Sequence, residues 1–273
     1  MVYPTTEEEI VAAVATAVKN NQKIKVATKY SHSFPRFACP GSSSGVIIST
    51  KDYSSIVSVD TSAMTVTAQS GILMRVLTFA IADFNLALPY SPYWDALTLG
   101  GVLATGAHGS SHFGKGSAVH EYVVGVRVVV PANASEGYAK VVTFNVQDED
   151  LNAVKVSLGV LGVISTVTLQ LQPAFKRNLT LEVCDDAGLE DKILEIANTV
   201  EFGDVTWFAS THQVVYRIDH RVPNSTLGDG VNRFFGFQPL LGLEIEAIRT
   251  SGESNHNPWR QGSAYLWCKD ICA

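Results

Sequence analysis

The densest group of residues that could do chemistry runs from Leu97 to Pro131, in the stretch LTLGGVLATGAHGSSHFGKGSAVHEYVVGVRVVVP. It contains seven glycines and three histidines ahead of a β-branched strand. Glycine lets another group approach the backbone closely, and the exposed N–H groups can bind a phosphate or a carbonyl oxygen. Two explanations fit: a loop that lies against a ligand, or a tight turn that packs on a neighbouring strand.

Common nucleotide-binding signatures do not match this stretch. A dinucleotide fingerprint, G-x-G-x-x-G, should follow the first strand and open a helix, but none follows the predicted strand KIKVAT at 23–28. The sequence also lacks G-x-x-x-x-G-K-[ST]. Any nucleotide would therefore be bound by a different glycine arrangement.

Two further stretches are candidates for a binding site. In TKYSHSF, residues 28–34, Ser31 and Ser33 flank His32 directly after a predicted strand, where functional loops are common. The serine hydroxyls could donate to an anion, although a single loop histidine can equally be a solvated side chain. In LGVLGVIST, residues 158–166, two glycines between a helix and a strand are typical of a helix C-cap and a turn.

Hydrophobic periodicity predicts a mixed α+β fold. The N-terminal helix carries the capping-box spacing, because Thr5 and Thr6 are each followed by a glutamate three residues later. The predicted helices lie over 5–21, 72–84 and 148–162, and the predicted loops over 29–45 and about 97–117. Strands are predicted over 23–28, 119–132, 138–146 and 163–173, with two or three short strands joined by turns over 45–71.

A change in residue pattern after Pro173 predicts two domains, 1–175 and 176–273. The second begins with a strand over 175–186, continues with a helix over 188–202 and two strands over 205–222, and ends irregularly. We expect Asp219 and His220 to be a solvated pair in that hairpin.

Composition limits the function. The 273 residues carry a net charge of −6, with 46% hydrophobic and 17% charged residues, which is typical of a globular chain with a sizeable core. No basic run exceeds two residues, so no nucleic-acid partner is predicted. The longest uncharged run, Val156–Phe175, is interrupted by glycines and Pro173, so no transmembrane helix is expected.

Cysteines and glycosylation motifs say little on their own. The four cysteines, Cys39, Cys184, Cys268 and Cys272, form no C-x-x-C pair, and no metal site is predicted. Three Asn-x-Ser/Thr motifs begin at Asn133, Asn178 and Asn224 and mildly favour a secreted history. The N-terminus has three consecutive glutamates where a signal peptide would be basic and then apolar.

The motifs, taken in order, resemble a known family. KYSHSF, AQSG, TLGGVLATGAHGSS, GKGSAVHEYVVG and SLGVLGVISTVTLQLQP follow one another as in the vanillyl-alcohol oxidase type of flavin-binding domain, also called the PCMH-type FAD-binding domain. The details are most similar to plant L-gulonolactone oxidase-like proteins, a group of aldonolactone oxidases. This resemblance implies a FAD-binding domain of two α/β subdomains followed by a partial α+β substrate, or cap, domain.

The resemblance also implies site residues. The loop from Ala27 to Ser33 would wrap the FAD pyrophosphate, and His32 matches the histidine that bonds covalently to the flavin in several relatives. The residues implied in cofactor binding are Ala27, Thr28, Lys29, Tyr30, Ser31, His32, Ser33, Gly100, Gly101, Thr105, Gly106, His108, Gly109, Ser110, Gly162, Val163 and Ile164.

Two departures from the family pattern matter. Many relatives carry glycines where this chain has Thr28, Lys29 and Tyr30, so these side chains are expected to point away from the phosphates. Full-length relatives also extend further and carry a His-Trp motif near the flavin, for which HNPWR at 256–260 is only a superficial match. No catalytic residue is therefore assigned.

The implied activity is oxidation of L-gulono-1,4-lactone or a related aldonolactone, with FAD as cofactor and molecular oxygen as acceptor. The alternatives are a catalytically inactive flavin-binding remnant, and a sugar or alditol oxidase or dehydrogenase of the same fold. The resemblance points to the secretory pathway and allows membrane association.

Overall fold

The computed structural model describes residues 1–28, 39–41, 44–92, 96–109, 111 and 113–228. These residues form two compact units, the first comprising 1–108 and 118–173 and the second comprising 109–117 and 174–228. The second unit continues into residues outside the described ranges. The domain predicted over 176–273 therefore stays a prediction.

Helices and strands are mixed in a non-repeating order, which confirms the α+β prediction. The helices are α1 Glu7–Lys19, α2 Met74–Ala82, α3 Leu99–Ala104, α4 Leu151–Val154 and α5 Leu189–Thr199. The strands are β1 Ile24–Ala27, β2 Val46–Ser49, β3 Ile56–Asp60, β4 Thr65–Gln69, β5 Leu86–Ala87, β6 Val123–Pro131, β7 Ala139–Asn145, β8 Val163–Gln170, β9 Gln172–Pro173, β10 Lys176–Asp185, β11 Phe202–Phe208 and β12 Gln213–Val222.

The first unit is built on a five-stranded antiparallel sheet in the order β3-β4-β8-β6-β7, beside a parallel pair, β1-β2. Alternate residues of β6 serve two cores, because successive side chains of a strand point to opposite faces. Val128 packs with the apolar residues of α2 and α3, whereas Val129 packs with Ile10 and Val14 of α1. The sheet therefore separates the two apolar clusters.

A polar network joins α1 to the sheet. The Arg127 guanidinium donates to both carboxylate oxygens of Glu7, and the buried Ser165 hydroxyl donates to Glu7 Oε1. These hydrogen bonds hold the pKa of Glu7 below its usual range, the bond from Arg127 being the largest cause. The network links the first helix to β6 and β8 at one point.

Two predicted elements differ from the observed ones. The glycine-rich stretch was expected to be a loop, but α3 forms within it, because Leu99, Val102 and Leu103 are buried at helical spacing. The helix predicted over 148–162 is reduced to Leu151–Val154. It cannot continue because Leu158 and Gly159 both adopt positive φ values, 52° and 72°.

The second unit is a three-stranded antiparallel sheet in the order β10-β12-β11, with α5 packed on one face. The expectation that Asp219 is solvated is wrong, although His220 is exposed. Asp219 is 3% exposed and forms ion pairs with Arg177, at 3.0 Å, and Arg217, at 3.3 Å. The cause is the position of β12 in the centre of the sheet, where polar side chains are buried and must be paired.

Within the described residues, no helix has both the length and the apolar character needed to cross a membrane.

The start of β8 requires glycine at residue 162. Gly162 has a φ of 152°, and a Cβ there would lie 2.5 Å from the Val129 carbonyl oxygen. Gly159 also has a positive φ, but no atom of the described chain lies within 4 Å of its would-be Cβ. We expect Gly162→Ala to lower the free energy of unfolding by about 2 kcal/mol or more, and Gly159→Ala by only about 1 kcal/mol.

Urea denaturation followed by circular dichroism measures the free energy of unfolding of both variants and of the unmodified chain. If the two variants lost equal amounts of this free energy, the assigned contact between Gly162 and Val129 would be contradicted.

Asp204 makes the second unit sensitive to pH. It lies opposite Arg217 in the β11–β12 register, and burial raises its pKa to about 6 despite the opposing attraction of Arg217. Since the unfolded carboxyl titrates near pH 4, ionisation disfavours the folded state, and stability should fall as pH rises from about 4 to about 6. Asp204→Asn should remove this fall and slow amide exchange at pH 7 about 10-fold or more, with little effect at pH 4.

Hydrogen–deuterium exchange of the β11 and β12 amides measures this effect within the second unit. Asp191→Asn, at an exposed position of α5, serves as the control and should not change the pH dependence. If the exchange rates of the unmodified chain and of Asp204→Asn changed with pH in parallel, Asp204 would be excluded as the source of the pH-dependent stability.

Candidate cofactor site

The glycine-rich helix α3 is positioned by the turn after β4, at residues 70–72, which backbone hydrogen bonds hold in place. Ser70 N–H donates to the Ser165 carbonyl at 2.8 Å, and Gly71 N–H donates to the Tyr53 carbonyl at 3.1 Å. The Ser70 carbonyl then accepts from Gly100 N–H at 2.8 Å. The start of α3 is therefore fixed to the central strand β8 through backbone groups alone.

The two glycines at the start of α3 face different surroundings. A Cβ on Gly100 would lie 2.9 Å from Ser70 Cβ, so this glycine is needed for packing. Gly101 is exposed, and in the described part of the chain only Thr98 Oγ1, at 3.1 Å, lies within 4 Å of its would-be Cβ. Gly101 therefore leaves an uncovered patch of backbone at the protein surface.

The end of α3 is capped by Thr105 and Gly106. Thr105 is exposed and its hydroxyl donates to the Gly101 carbonyl at 2.9 Å. Gly106 adopts a φ of 65°, and a Cβ there would lie 3.0 Å from Val156 Cγ1. Gly106 thus serves the helix C-terminus and a close contact with the protein's own chain, and it needs no ligand to explain it.

The structure brings the first candidate loop to the glycine-rich stretch at one point. Ala27 ends β1, and the next residue, Thr28, places its hydroxyl 3.4 Å from the Thr98 hydroxyl, just before α3. The remaining predicted loop residues, Lys29, Tyr30, Ser31, His32 and Ser33, lie outside the described residues.

Beyond α3 the stretch continues as an extended segment. His108 is exposed and forms a β-bridge with Ala118. Gly109 N–H donates to the Ser117 carbonyl at 3.1 Å, and a Cβ on Gly109 would lie 3.2 Å from Ser117 Cβ. Ser110 lies outside the described residues.

The third predicted group is positioned by β6 rather than by α3. Val163 pairs with Val129, Ile164 pairs with Val128, and both side chains are buried in the apolar clusters. Gly162 is explained by its approach to Val129. The side chains of this group therefore serve the core, which leaves backbone groups as their only route to a ligand.

Sequence reasoning missed several residues that shape this region. Ser70 and Thr98 position α3, and both lie in quoted motifs, AQSG and TLGGVLATGAHGSS, but neither was singled out as a site residue. Ser70 Oγ and His120 Nδ1 are buried and have no hydrogen-bond partner in the described chain. His120 does form a 3.1 Å contact from Nε2 to Glu121, and its ring lies 3.9 Å from the would-be Cβ of Gly106. The sequence pointed to His120 only through the family motif GKGSAVHEYVVG, in which it lies.

The described site offers backbone groups and hydroxyls. Thr98 and Thr105 contact the exposed Gly101, and Thr28 contacts Thr98. Helix α3 itself carries no charged side chain. No group of three or more His, Cys, Asp or Glu side chains suited to a metal ion occurs among the described residues. Such a surface suits a ligand that lies flat on the backbone and accepts hydrogen bonds.

Comparison with known proteins supports this interpretation. The FAD binding domain family matches residues 1–134. L-gulonolactone oxidase 3 of Arabidopsis thaliana is 46% identical over 260 residues, which is 93% of this chain and 44% of that protein. L-gulono-1,4-lactone dehydrogenase of Mycobacterium tuberculosis is 33% identical over 180 residues, 64% of this chain and 38% of that protein.

Solved structures show the same fold. The cholesterol oxidase of B. sterolicum superposes with a TM-score of 0.70 at 18% identity, covering 91% of this chain and 51% of that one. An alkyldihydroxyacetonephosphate synthase superposes with a TM-score of 0.60 at 17% identity, covering 89% of this chain and 49% of that one.

The chain spans about 44% of the length of the plant relatives that it matches. The similarity to L-gulonolactone oxidase 3 covers 93% of this chain, whereas the FAD binding domain family matches residues 1–134. Residues 1–134 match this FAD binding domain, and the chain is a homologue of the plant proteins named L-gulonolactone oxidases.

Proposed function

We propose that this chain binds FAD along the α3 surface and serves the oxidation of L-gulono-1,4-lactone or a related aldonolactone, with oxygen as acceptor. The observation that carries the proposal is the exposed Gly101 backbone, for which the described protein has no packing use. The names of relatives at 46% identity supply the substrate class.

The residues present fit the cofactor. A flavin dinucleotide is flat at one end and anionic in the middle, so it needs open backbone and hydrogen-bond donors. Gly101 offers open backbone, and one hydrogen of the Thr28–Thr98 hydroxyl pair is left over from the hydrogen bond between them. The Thr105 hydroxyl already donates to the Gly101 carbonyl. Thr28 joins the predicted pyrophosphate loop to this surface. Glycines at 100 and 162 serve the protein's own packing, so their role would be to position the neighbouring backbone.

The proposed cofactor residues fall into three groups. Ala27 to Ser33 would bind the pyrophosphate, with His32 as the candidate for a covalent bond to the flavin. The second group would lie beside the pyrophosphate and the ring and comprises Gly100, Gly101, Thr105, Gly106, His108, Gly109 and Ser110. Gly162, Val163 and Ile164 would contribute backbone groups only.

The proposed reaction removes two electrons and two protons from the alcohol next to the lactone carbonyl, and oxygen takes them up as hydrogen peroxide. FAD, when bound, supplies the two-electron acceptor between them. The described residues hold and orient the cofactor, and none is assigned as the base that removes the alcohol proton.

Two other functions remain candidates because of specific observations. The chain spans only 44% of its plant relatives, which favours a flavin-binding unit that needs residues beyond it for turnover. The mycobacterial relative is named a dehydrogenase, which favours an acceptor other than oxygen. A sugar or alditol substrate would be compatible with the same fold.

The first prediction concerns bound flavin. The purified chain should show flavin absorbance, and acid precipitation should leave the colour in the pellet because His32 carries the covalent bond. His32→Ala should release the flavin to the supernatant, whereas His212→Ala, at an exposed histidine paired with Asp186, should not. Acid-stable flavin in His32→Ala would refute the covalent assignment, and folded chain without flavin would refute the cofactor proposal.

A second prediction tests the α3 surface. Gly101→Leu should leave folding intact or slightly improved, since glycine is a poor helix former, yet it should weaken FAD binding at least 100-fold by covering the exposed backbone. Flavin fluorescence titration in the His32→Ala background, where no covalent bond forms, measures the affinity, and circular dichroism checks the fold. Ala63→Leu adds a similar side chain at an exposed turn and should leave the affinity unchanged. Equal affinities for both variants would place the cofactor elsewhere.

A further inference from the structure

Three Asn-x-Ser/Thr motifs are not used by the proposed cofactor site. They begin at Asn133, Asn178 and Asn224. In each motif both the asparagine and the hydroxyl residue two positions later are exposed. An oligosaccharide attached to any of these asparagines could therefore extend into solvent from the folded chain.

Asn133 lies in the exposed turn between β6 and β7. Its Oδ1 accepts from the Glu136 backbone N–H at 3.1 Å and from the Ser135 hydroxyl at 2.6 Å. The turn thus uses the side-chain oxygen of Asn133, and no hydrogen bond within it uses the amide nitrogen Nδ2. That nitrogen is the atom to which a glycan would be attached.

Asn178 and Asn224 lie near one end of the three-stranded sheet of the second unit. Asn178 is on the edge strand β10, opposite the exposed His220 on β12. Asn224 is in the exposed turn after β12, and the Lys176 side chain bonds to the Thr226 carbonyl in that turn at 2.7 Å. Neither asparagine belongs to an apolar cluster, so neither position needs to be enclosed for folding.

The state of Cys39 is an independent indication of the compartment. Cys39 is disulfide-bonded, whereas Cys184 is free. Structural disulfides form and persist in oxidising compartments and are rare in the cytosol. N-linked glycosylation takes place in the oxidising lumen of the secretory pathway, so the disulfide and the three exposed motifs point to the same environment.

We propose that Asn133, Asn178 and Asn224 carry N-linked glycans on a chain that folds in the secretory pathway. The reaction forms a bond between asparagine Nδ2 and C1 of an oligosaccharide donated by a lipid diphosphate. The bond from that carbon to the diphosphate breaks, the lipid diphosphate leaves, and the amide nitrogen loses one proton. No oxidation or reduction is involved.

The decisive experiment uses the endogenous protein, immunoprecipitated from its source tissue and kept folded. Peptide N-glycosidase in ¹⁸O-labelled water converts each glycosylated asparagine to a labelled aspartate, which peptide mass spectrometry locates. We expect label at all three positions, released without denaturation because the asparagines are exposed. Unmodified asparagine at residues 133, 178 and 224 would overturn the proposal.

Variants made in a yeast secretory system resolve the individual sites. Asn133→Gln and Ser135→Ala should each remove one glycan, whereas Ser135→Thr preserves the motif and should retain it. Chain retained inside the cell is analysed together with secreted chain, so poor export does not obscure the result. An unchanged glycan count in Ser135→Ala would overturn the assignment of Asn133.

These readouts are masses at asparagine residues and do not depend on flavin binding. Failure of the glycan proposal therefore leaves the proposed function untouched, and the reverse also holds.

Discussion

The first unit depends on a close approach between backbones at Gly71. A Cβ on this residue would lie 1.9 Å from the Thr50 carbonyl oxygen, so no other residue fits without moving the backbone. On either side, Ser70 bonds to β8 and Ile72 accepts from the Leu99 N–H at 2.9 Å. The turn at 70–72 therefore joins β4, β8 and α3, and the geometry of the candidate site follows from it.

This constraint separates glycines that serve the fold from a glycine that faces solvent. Gly71, Gly100 and Gly162 are each explained by a neighbouring atom that a Cβ would strike. Gly101 has no such explanation beyond one threonine hydroxyl. In the glycine-rich stretch, close packing accounts for Gly100, Gly106 and Gly109, and a positive φ accounts for Gly114 and Gly116. Ligand approach is proposed for the exposed Gly101.

Much of the fold could be predicted from the sequence because hydrophobic period and capping are local signals. The helix at Glu7–Lys19 and the hairpin of β6 and β7 lie close to their predicted ranges. Helix α3 was missed because burial of Leu99 and Leu103 overrides the poor helix propensity of adjacent glycines. Burial of Asp219 was missed because it depends on partners, Arg177 and Arg217, that sequence spacing does not pair.

The candidate site was predictable only as a set of motifs, because its chemistry lies in backbone groups rather than in side chains. Thr28 illustrates this point. The family resemblance leads one to expect glycine at this position, so a threonine here cast doubt on phosphate binding by the loop. Its hydroxyl lies 3.4 Å from that of Thr98, so the side chain is directed at the protein's own polar group. A side chain that turns toward Thr98 leaves the backbone of residue 28 available, and glycine is then not required there for a ligand to approach.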